Sequence, residues 1–478
     1  MLRRALLTAC AVLAASAPAA PAAPHVPHEV LVRFAHGTTP AARDAVARAA
    51  GLARPRVAGP GTDLLRVRGG GTVAAAIARV RRRPGVRLAT PNYLARAAYI
   101  PDDPGYDDVP GGWQSVQWNF DPGTGVDAPL AWDHLIQAGR PGGQGVVVAV
   151  LDTGVAYRTA GRYRRSPDFA AQQFRPGYDF VDGDRFPDDE NGHGTHVAST
   201  IAEEVNNGIG VTGLAYGAQI MPVRVLDALG EGDIPTIAAG IRFAARHGAQ
   251  VINLSFEFGR GLKARDIPEI LSAVRFADRR GVMIVGAAGN SAAASLAYPA
   301  RAPDVFSVGA VTEHLCKARY SNDGAALDIV APGGGRDADI PSDPDCRPGE
   351  PRGGDIRQMT FTSGLRQFGL PPGYVGTSMA TPHVSATAAL VIASGVLGPA
   401  PTPEAIEEHL RATARDLGAP GPDRHYGAGM VDAGAATAPV APPAPAPQPT
   451  PVPTPVATPT PSPTPSPAPV ATEPPPGP

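Results

Sequence analysis

Two periodicities of apolar positions divide this chain. Residues 29–34 (Glu-Val-Leu-Val-Arg-Phe) and 62–68 (Thr-Asp-Leu-Leu-Arg-Val-Arg) alternate like half-buried strands, whereas 40–50 and 72–82 carry apolar and small residues at helical spacing, and 86–94 reads as a third strand. A small α+β unit is therefore expected near the N-terminus. Beyond residue 108 the pattern changes. Nearly continuous apolar runs at 146–151, 218–225, 250–255, 282–287, 305–311 and 327–330 alternate with helical segments that start at 193 and cover 234–247 and 267–280. Strands apolar on both faces and separated by helices predict a parallel sheet covered on both sides, a three-layer α/β domain. The run 384–393 is apolar all round and predicts a fully buried helix, and 403–414 a further helix near the end of the domain.

The two ends follow neither pattern. Residues 1–22 place Arg3 and Arg4 before an apolar stretch and then small residues, the anatomy of a secretory leader, and too short to be a stable membrane anchor. Leu7-Thr8-Ala9-Cys10 resembles a lipoprotein cleavage box, but the apolar stretch before Cys10 is short and runs past it, so export without lipidation is the expectation. From residue 439 the composition turns to Pro, Thr, Ala and Ser, with Glu473 the only charge. Such a tail stays disordered or extended, and at ~3.1 Å per residue it could reach ~120 Å, as a wall-spanning spacer or a dispensable end. The expected organisation is a leader (1–22), an α+β unit (25–98), an α/β domain (103–438) and a disordered tail (439–478).

Charge sharpens this division. The formal net charge of the 478 residues is −2, yet residues 25–98 hold 13 arginines against Glu29, Asp44 and Asp63, a net of +10. From residue 99 onward 27 basic residues face 41 acidic ones, a net of −14. A basic unit could be a freestanding nucleic-acid module, but an exported chain seldom meets nucleic acid, and the charges complement those of the domain that follows. With Cys10 removed in the leader, Cys316 and Cys346 remain, an even pair for which a disulfide is the default outside the cell. Cys346 falls in a Gly-, Pro- and Asp-rich stretch, 333–372, that a bridge would pin.

The candidate chemistry lies where strands end and helices begin. Gly376-Thr377-Ser378-Met379-Ala380-Thr381-Pro382-His383 puts a serine at the mouth of the buried helix, a place where an ordinary N-cap would also be expected. The strand 146–151 ends in Asp152-Thr153-Gly154, so a carboxylate sits at its C-terminal edge, and Asn191-Gly192-His193-Gly194-Thr195-His196 opens another helix with a histidine. A nucleophilic serine needs a base, and the base needs an orienting carboxylate. His196, three residues after His193, could suggest a zinc pair, but no HExxH pattern accompanies it and it reads as packing.

The blocks Asp152-Thr153-Gly154, His193-Gly194-Thr195-His196 and Gly376-Thr377-Ser378-Met379-Ala380, in that order, resemble the subtilisin-type serine proteases (subtilases), in particular the secreted thermitase-like branch, over roughly residues 100–438. The resemblance implies a triad of Asp152, His193 and Ser378, with Asn290 and the Ser378 N–H as donors to the oxyanion. It implies peptide binding along Ser255, Phe256 and Glu257 and the loop with Gly230 and Gly232. Glu257 stands where the family commonly has glycine. With Glu231 and Asp233 it offers either a preference for basic side chains or a solvated rim of charge. Residues 205–211 are similar to the family's strong calcium loop, which implies Ca²⁺ on Asp168 and Asn207 and on the carbonyls of Val205, Ile209 and Val211. Asp179, Asp182 and Asp184 resemble a second calcium site. The basic unit is similar to subtilase propeptides, which assist folding and then inhibit.

Three classes of function stay in view: a secreted serine endopeptidase made as an autoprocessed zymogen, a protease-like fold used only for binding, and a maturation protease with few substrates. The presence of all four catalytic residue types favours the first. Its expected partners are protein or peptide substrates and its own propeptide, as a monomer with no nucleic acid and no stable membrane anchor.

Overall fold

The computed structural model describes residues 25–68, 71–93, 99–106, 109–349 and 354–439. The expected leader with Cys10, the junction at 94–98 and the tail from 440 lie outside the described residues. Among the described residues no helix is long and apolar enough to cross a membrane.

The N-terminal unit is built from β1 (His25–Phe34), α1 (Pro40–Ala49), β2 (Leu52–Gly59), β3 (Thr62–Val67), α2 (Val73–Arg81) and β4 (Val86–Tyr93). The strands form an antiparallel sheet in the order β2-β3-β1-β4. Thr39 and Thr72 cap the two helices by accepting from Ala42 N and Ala75 N. Alternate residues of β1, Val30, Val32 and Phe34, meet Ile77 and Val80 of α2 in one core. Strand β2 was not expected from the pattern. Arg54-Pro55-Arg56 interrupts its alternation, and the pairing with β3 shifts register between Ala53 and Arg56. Proline, which lacks an N–H, is tolerated there because β2 is the edge strand.

The second domain has helix α3 (Ala128–Gln137), strand β5 (Val147–Asp152), short β6 (Tyr178–Asp179), α4 (His193–Ala202), β7 (Gln219–Arg224), α5 (Ile234–Arg246), β8 (Val251–Leu254), α6 (Pro268–Asp278), β9 (Met283–Ala287), β10 (Phe306–Val311) and β11 (Ile329–Pro332). A hairpin follows, β12 (Thr360–Ser363) and β13 (Gln367–Gly369), then α7 (Thr377–Ser394), α8 (Pro403–Thr413) and α9 (Ala433–Ala436). Seven strands pair in parallel in the order β11-β10-β9-β8-β5-β7-β6. Along β5, Val148 and Val150 join the core shared with Val197 of α4 and Val384 of α7. Ala149 and Leu151 join the core shared with Ile237 of α5 and Ile270 of α6. This is the three-layer arrangement the apolar runs implied. The chain leaves β5 toward β7 and returns on its other side as β8, so the order reverses at β5. The crevice used for ligands in open α/β sheets opens at that point, beyond the strand ends at Asp152 and Leu254.

The stretch 333–372 contributes the β12–β13 hairpin and is tied by the disulfide Cys316–Cys346. Its later limb runs against α4: Ile356 O accepts from His196, and Thr360 Oγ1 donates to Gly192 O at 2.6 Å. We predict that Cys316→Ser/Cys346→Ser lowers stability by about 2–4 kcal/mol, because the bridge closes a 30-residue loop in the unfolded chain. Urea unfolding at constant pH would read this as a lower midpoint, and an unchanged midpoint would refute it.

Candidate active site

Two helix starts and one strand end meet at the crevice. β5 delivers Asp152, fully buried, whose backbone carbonyl accepts from Val225 N and Leu226 N. Helix α4 begins at His193, and its second residue lies so close to β5 that a Cβ on Gly194 would stand 2.1 Å from Gly154 O and 3.0 Å from Asp152 Cβ. Only glycine permits that approach. It brings His193 Nδ1 to 2.7 Å from Asp152 Oδ1, which also accepts from Thr153 N at 2.8 Å. The imidazole is 27% exposed, so Nε2, the nitrogen turned from Asp152, is the one left for exchange with the crevice.

The turn before α4 is held by a carboxylate that the sequence reading passed over. Asp189 is buried and accepts from Thr153 Oγ1, Asn191 N, Gly192 N, Thr195 N and Thr195 Oγ1. A signal was present, since an acid shortly before a helix start commonly caps it, but its reach to Thr153 is tertiary. His196 is packing, as expected: it stacks on Tyr374 with ring centroids 4.0 Å apart, and burial pushes its pKa down to about 3.

Ser378 is the second residue of α7. Gly376, the residue before the helix, has φ 154°, a backbone that side chains rarely adopt, and this turns the chain sharply into the helix. Ser378 O accepts from Ser255 Oγ at 2.8 Å, and Ser255 is reached in turn by Asn253 Nδ2, whose own Oδ1 accepts from Ser385 Oγ. Ser255, expected at the substrate, thus spends its hydroxyl on fixing the first turn of α7 to the end of β8. Among the described residues the Ser378 hydroxyl has no protein hydrogen bond, so it stays available at the helix mouth.

Asn290 is oriented toward the same place. Its Oδ1 accepts from Thr377 N at 2.8 Å and Thr377 Oγ1 at 3.0 Å, which commits the amide oxygen and leaves Nδ2 as the free donor. Thr377 was not singled out in the sequence, although it adjoins the serine. Glu257 is half-exposed and also holds a backbone group. Its Oε1 accepts from Asn290 N at 2.9 Å. Asp233 instead caps α5 by accepting from Thr236 N, and Glu231 lies exposed in the Gly230–Gly232 turn, where its N–H donates to Asp227.

The expected metal residues part into two groups. Asp168 is buried beside the 205–211 loop, accepting from Asn207 Nδ2 at 2.8 Å and Val211 N at 3.2 Å. Asp103, absent from the sequence reading, lies buried at the same loop and accepts from Asn206 N and Asn207 N. Burial drives the Asp168 carboxyl well above its ordinary range, and repulsion from Asp103 and Glu204 adds to this. Glu203, buried next to them, is raised by burial and by Asp168, and its Oε2 has no partner. A desolvated cluster of oxygens pressed by its own negative charge fits a hard cation. The other group does not converge on an open site. The Arg224 guanidinium lies 2.9 Å from Asp179 and 2.8 Å from Asp182, while Asp184 accepts from Phe186 N. A side-chain cation thus stands where the second calcium was expected, supplied by a strand end 45 residues from Asp179 and 42 from Asp182 in sequence. Among the described residues no three His, Cys, Asp or Glu side chains form a ready metal cage, so a site at 205–211 would draw on Asn207 and backbone carbonyls.

Burial alone would depress the His193 pKa, but the charge and hydrogen bond of Asp152 outweigh it and the net shift is upward. Asp152→Asn should therefore lower the His193 pKa, measured from the pH dependence of its imidazole resonances. A midpoint that stays in place would show that Asp152 does not govern the ring.

Comparison with known proteins agrees with this geometry. Residues 143–429 match the model of the Subtilase family, and residues 13–92 match the Fervidolysin N-terminal prodomain. The chain is 38% identical over 324 residues to Subtilisin Savinase of Lederbergia lenta, covering 68% of this chain and 99% of that protein. It is 34% identical over 325 residues to Thermophilic serine proteinase of Bacillus sp. (strain AK1), covering 68% of each. Among solved structures, a protease from Pseudoalteromonas arctica PAMC 21717 superposes with a TM-score of 0.56 at 32% identity, covering 71% of this chain and 99% of that one.

Proposed function

The chain belongs to the subtilase family of serine proteases and carries the family's N-terminal prodomain, and from that premise we propose that it is an exported endopeptidase that matures by cutting itself. The observation that carries the catalytic reading is the 2.7 Å contact of His193 with buried Asp152 at the end of β5, together with Ser378 in the first turn of α7, which Ser255 ties to the end of the neighbouring strand β8. Ser378 Oγ attacks the substrate carbonyl as His193 Nε2 takes its proton, and Asp152 stabilises the imidazolium through Nδ1–H. The carbonyl oxygen becomes an oxyanion that receives hydrogen bonds from Asn290 Nδ2 and the Ser378 N–H. His193 then gives its proton to the departing amine, leaving an acyl group on Ser378. Water, activated by the same imidazole, completes hydrolysis. The peptide pairs through its main chain with Ser255, Phe256 and Glu257 and with the Gly230–Gly232 turn, a mode that tolerates many sequences.

Asp168 and Asn207, with the carbonyls of Val205, Ile209 and Val211, would hold Ca²⁺, which would neutralise the acidic cluster and brace the loop. Asp103 faces the same loop and joins the oxygens available there. Because the ion binds only the folded chain, removing it should lower the melting temperature, and calcium at ~100 times its Kd would add ~2.7 kcal/mol. Scanning calorimetry with and without EDTA reads this, and coincident transitions would refute the site.

Residues 25–98 act as intramolecular chaperone and inhibitor, and their basic charge complements the acidic domain. Ser378→Ala should therefore yield a protein with residues 25–98 still attached, whereas wild type is trimmed between about residues 95 and 108. Asn290→Ala should keep the fold but lose ~10² to 10³ in kcat. Intact mass of both proteins, made in a host free of extracellular proteases, is decisive. Trimming of Ser378→Ala at the wild-type bond would contradict self-cleavage.

A further inference from the structure

Glu257 follows β8 on one flank of Asn290, whereas on the other flank the charged side chains without a partner among the described residues are basic. A cavity of about 700 Å³ is bounded there by Asn290, Ser291, Arg319, Tyr320, Arg336 and Val375. A second cavity, about 500 Å³, contains Glu257 and Phe258 and continues from the end of β8. The two share no lining residue. If the acyl half of the substrate lies along Ser255–Glu257 and its carbonyl sits between Asn290 and Ser378, the amine half passes Val375, three residues before Ser378, and enters the first cavity.

The charge of that cavity comes from Arg319, which precedes β11, and from Arg336 in the 333–372 stretch. Arg319 and Arg336 are brought side by side because Arg319 N donates to Arg336 O at 2.8 Å, and both side chains are exposed. Neither guanidinium has an ion-pair or hydrogen-bond partner among the described residues. The one acid among its described lining residues, Asp355, is already engaged: it accepts from Gly373 N at 2.8 Å and lies 3.5 Å from Arg357. Two guanidinium groups with no acidic partner among the described residues therefore flank a pocket whose wall includes Tyr320. That ring is fixed by hydrogen bonds from its hydroxyl to Gly333 O and Gly334 O. The Arg336 side is held in place by Gly335 N donating to Gly354 O, and by the Cys316–Cys346 bridge nearby in the chain.

We infer that Arg319 and Arg336 form a carboxylate-binding subsite for the leaving-amine half of the substrate, so that bonds followed within two residues by Asp or Glu are cleaved in preference. A planar guanidinium matches a carboxylate in two-point geometry, and two of them beside a protein wall select against a basic side chain by repulsion. The inference rests on Ser378 as the nucleophile and adds the substrate class to that reading.

The test uses the mature enzyme and internally quenched peptides that share one acyl half and differ in the first two residues after the bond: Ala-Ala, or Asp, Glu or Arg at either place. Wild type should cleave the best acidic peptide with kcat/KM about two- to fivefold above Ala-Ala, and Arg-containing peptides below it. Arg319→Ser/Arg336→Ser should cut Ala-Ala at the wild-type rate and lose the acidic preference, and Arg319→Glu/Arg336→Glu should favour the Arg peptides. In wild type alone, the acidic preference should shrink as salt rises from about 0.05 to 0.5 M, a reading that needs no variant. Equal rates for acidic and Ala-Ala peptides, or a preference that survives the serine double variant, would overturn the subsite. Failure of the nucleophile assignment shows differently, as Ala-Ala cleavage that persists in Ser378→Ala.

Discussion

The close approach of α4 to the end of β5 is the constraint on which the site depends. An α/β sheet places a carboxylate at its edge readily, but an imidazole can meet that carboxylate only if the helix carrying it starts against the strand. Gly194 removes the side chain that would collide with Gly154 and Asp152, and Asp189 gathers the intervening turn through five donors. The cost is a buried acid next to another, since Asp189 and Asp152 both press their charge on His193. That cost has a use. The same field raises the affinity of the imidazole for a proton, which a general base requires.

A second set of contacts joins this pair to the serine. The chain Ser385–Asn253–Ser255–Ser378 ties the first turn of α7 to β8, and Thr377 ties it to Asn290. These are neutral hydrogen bonds, buried or half-buried, so they fix position without adding charge. The segment between β11 and α7 completes the frame from outside, with Tyr374 stacked on His196 and Ile356 O bonded to the same ring. His196 thus supports the catalytic helix while burial keeps it neutral.

The sheet was legible because every one of its long strands is buried on both faces and reads as a continuous apolar run. Asp152, His193 and Ser378 stood out as candidates because each lies at a strand end or helix start. Elements lacking those signals escaped. Strand β2 is interrupted by Pro55, and α3 follows Asp127, a non-glycine residue with φ 54° and no side-chain cap, although Ala128, Ala131, Trp132 and Leu135 repeat at helical spacing. Positions whose meaning comes from a distant partner were also hidden. Arg224 fills the place beside Asp179 and Asp182 meant for a second calcium, and Asp103 reaches the 205–211 loop from a different part of the chain. Asp233 and Glu257 look alike as letters, yet one caps a helix and the other binds the backbone of Asn290.

The central claim is that Ser378 is made nucleophilic by His193. An organophosphonate that forms a covalent adduct only with an activated serine tests it most directly, followed by proteolytic digestion and mass mapping of the adduct. The account predicts one adduct, on Ser378, in the mature protein and none above background in His193→Ala. An adduct on any other serine, or undiminished labelling of Ser378 in His193→Ala, would contradict it.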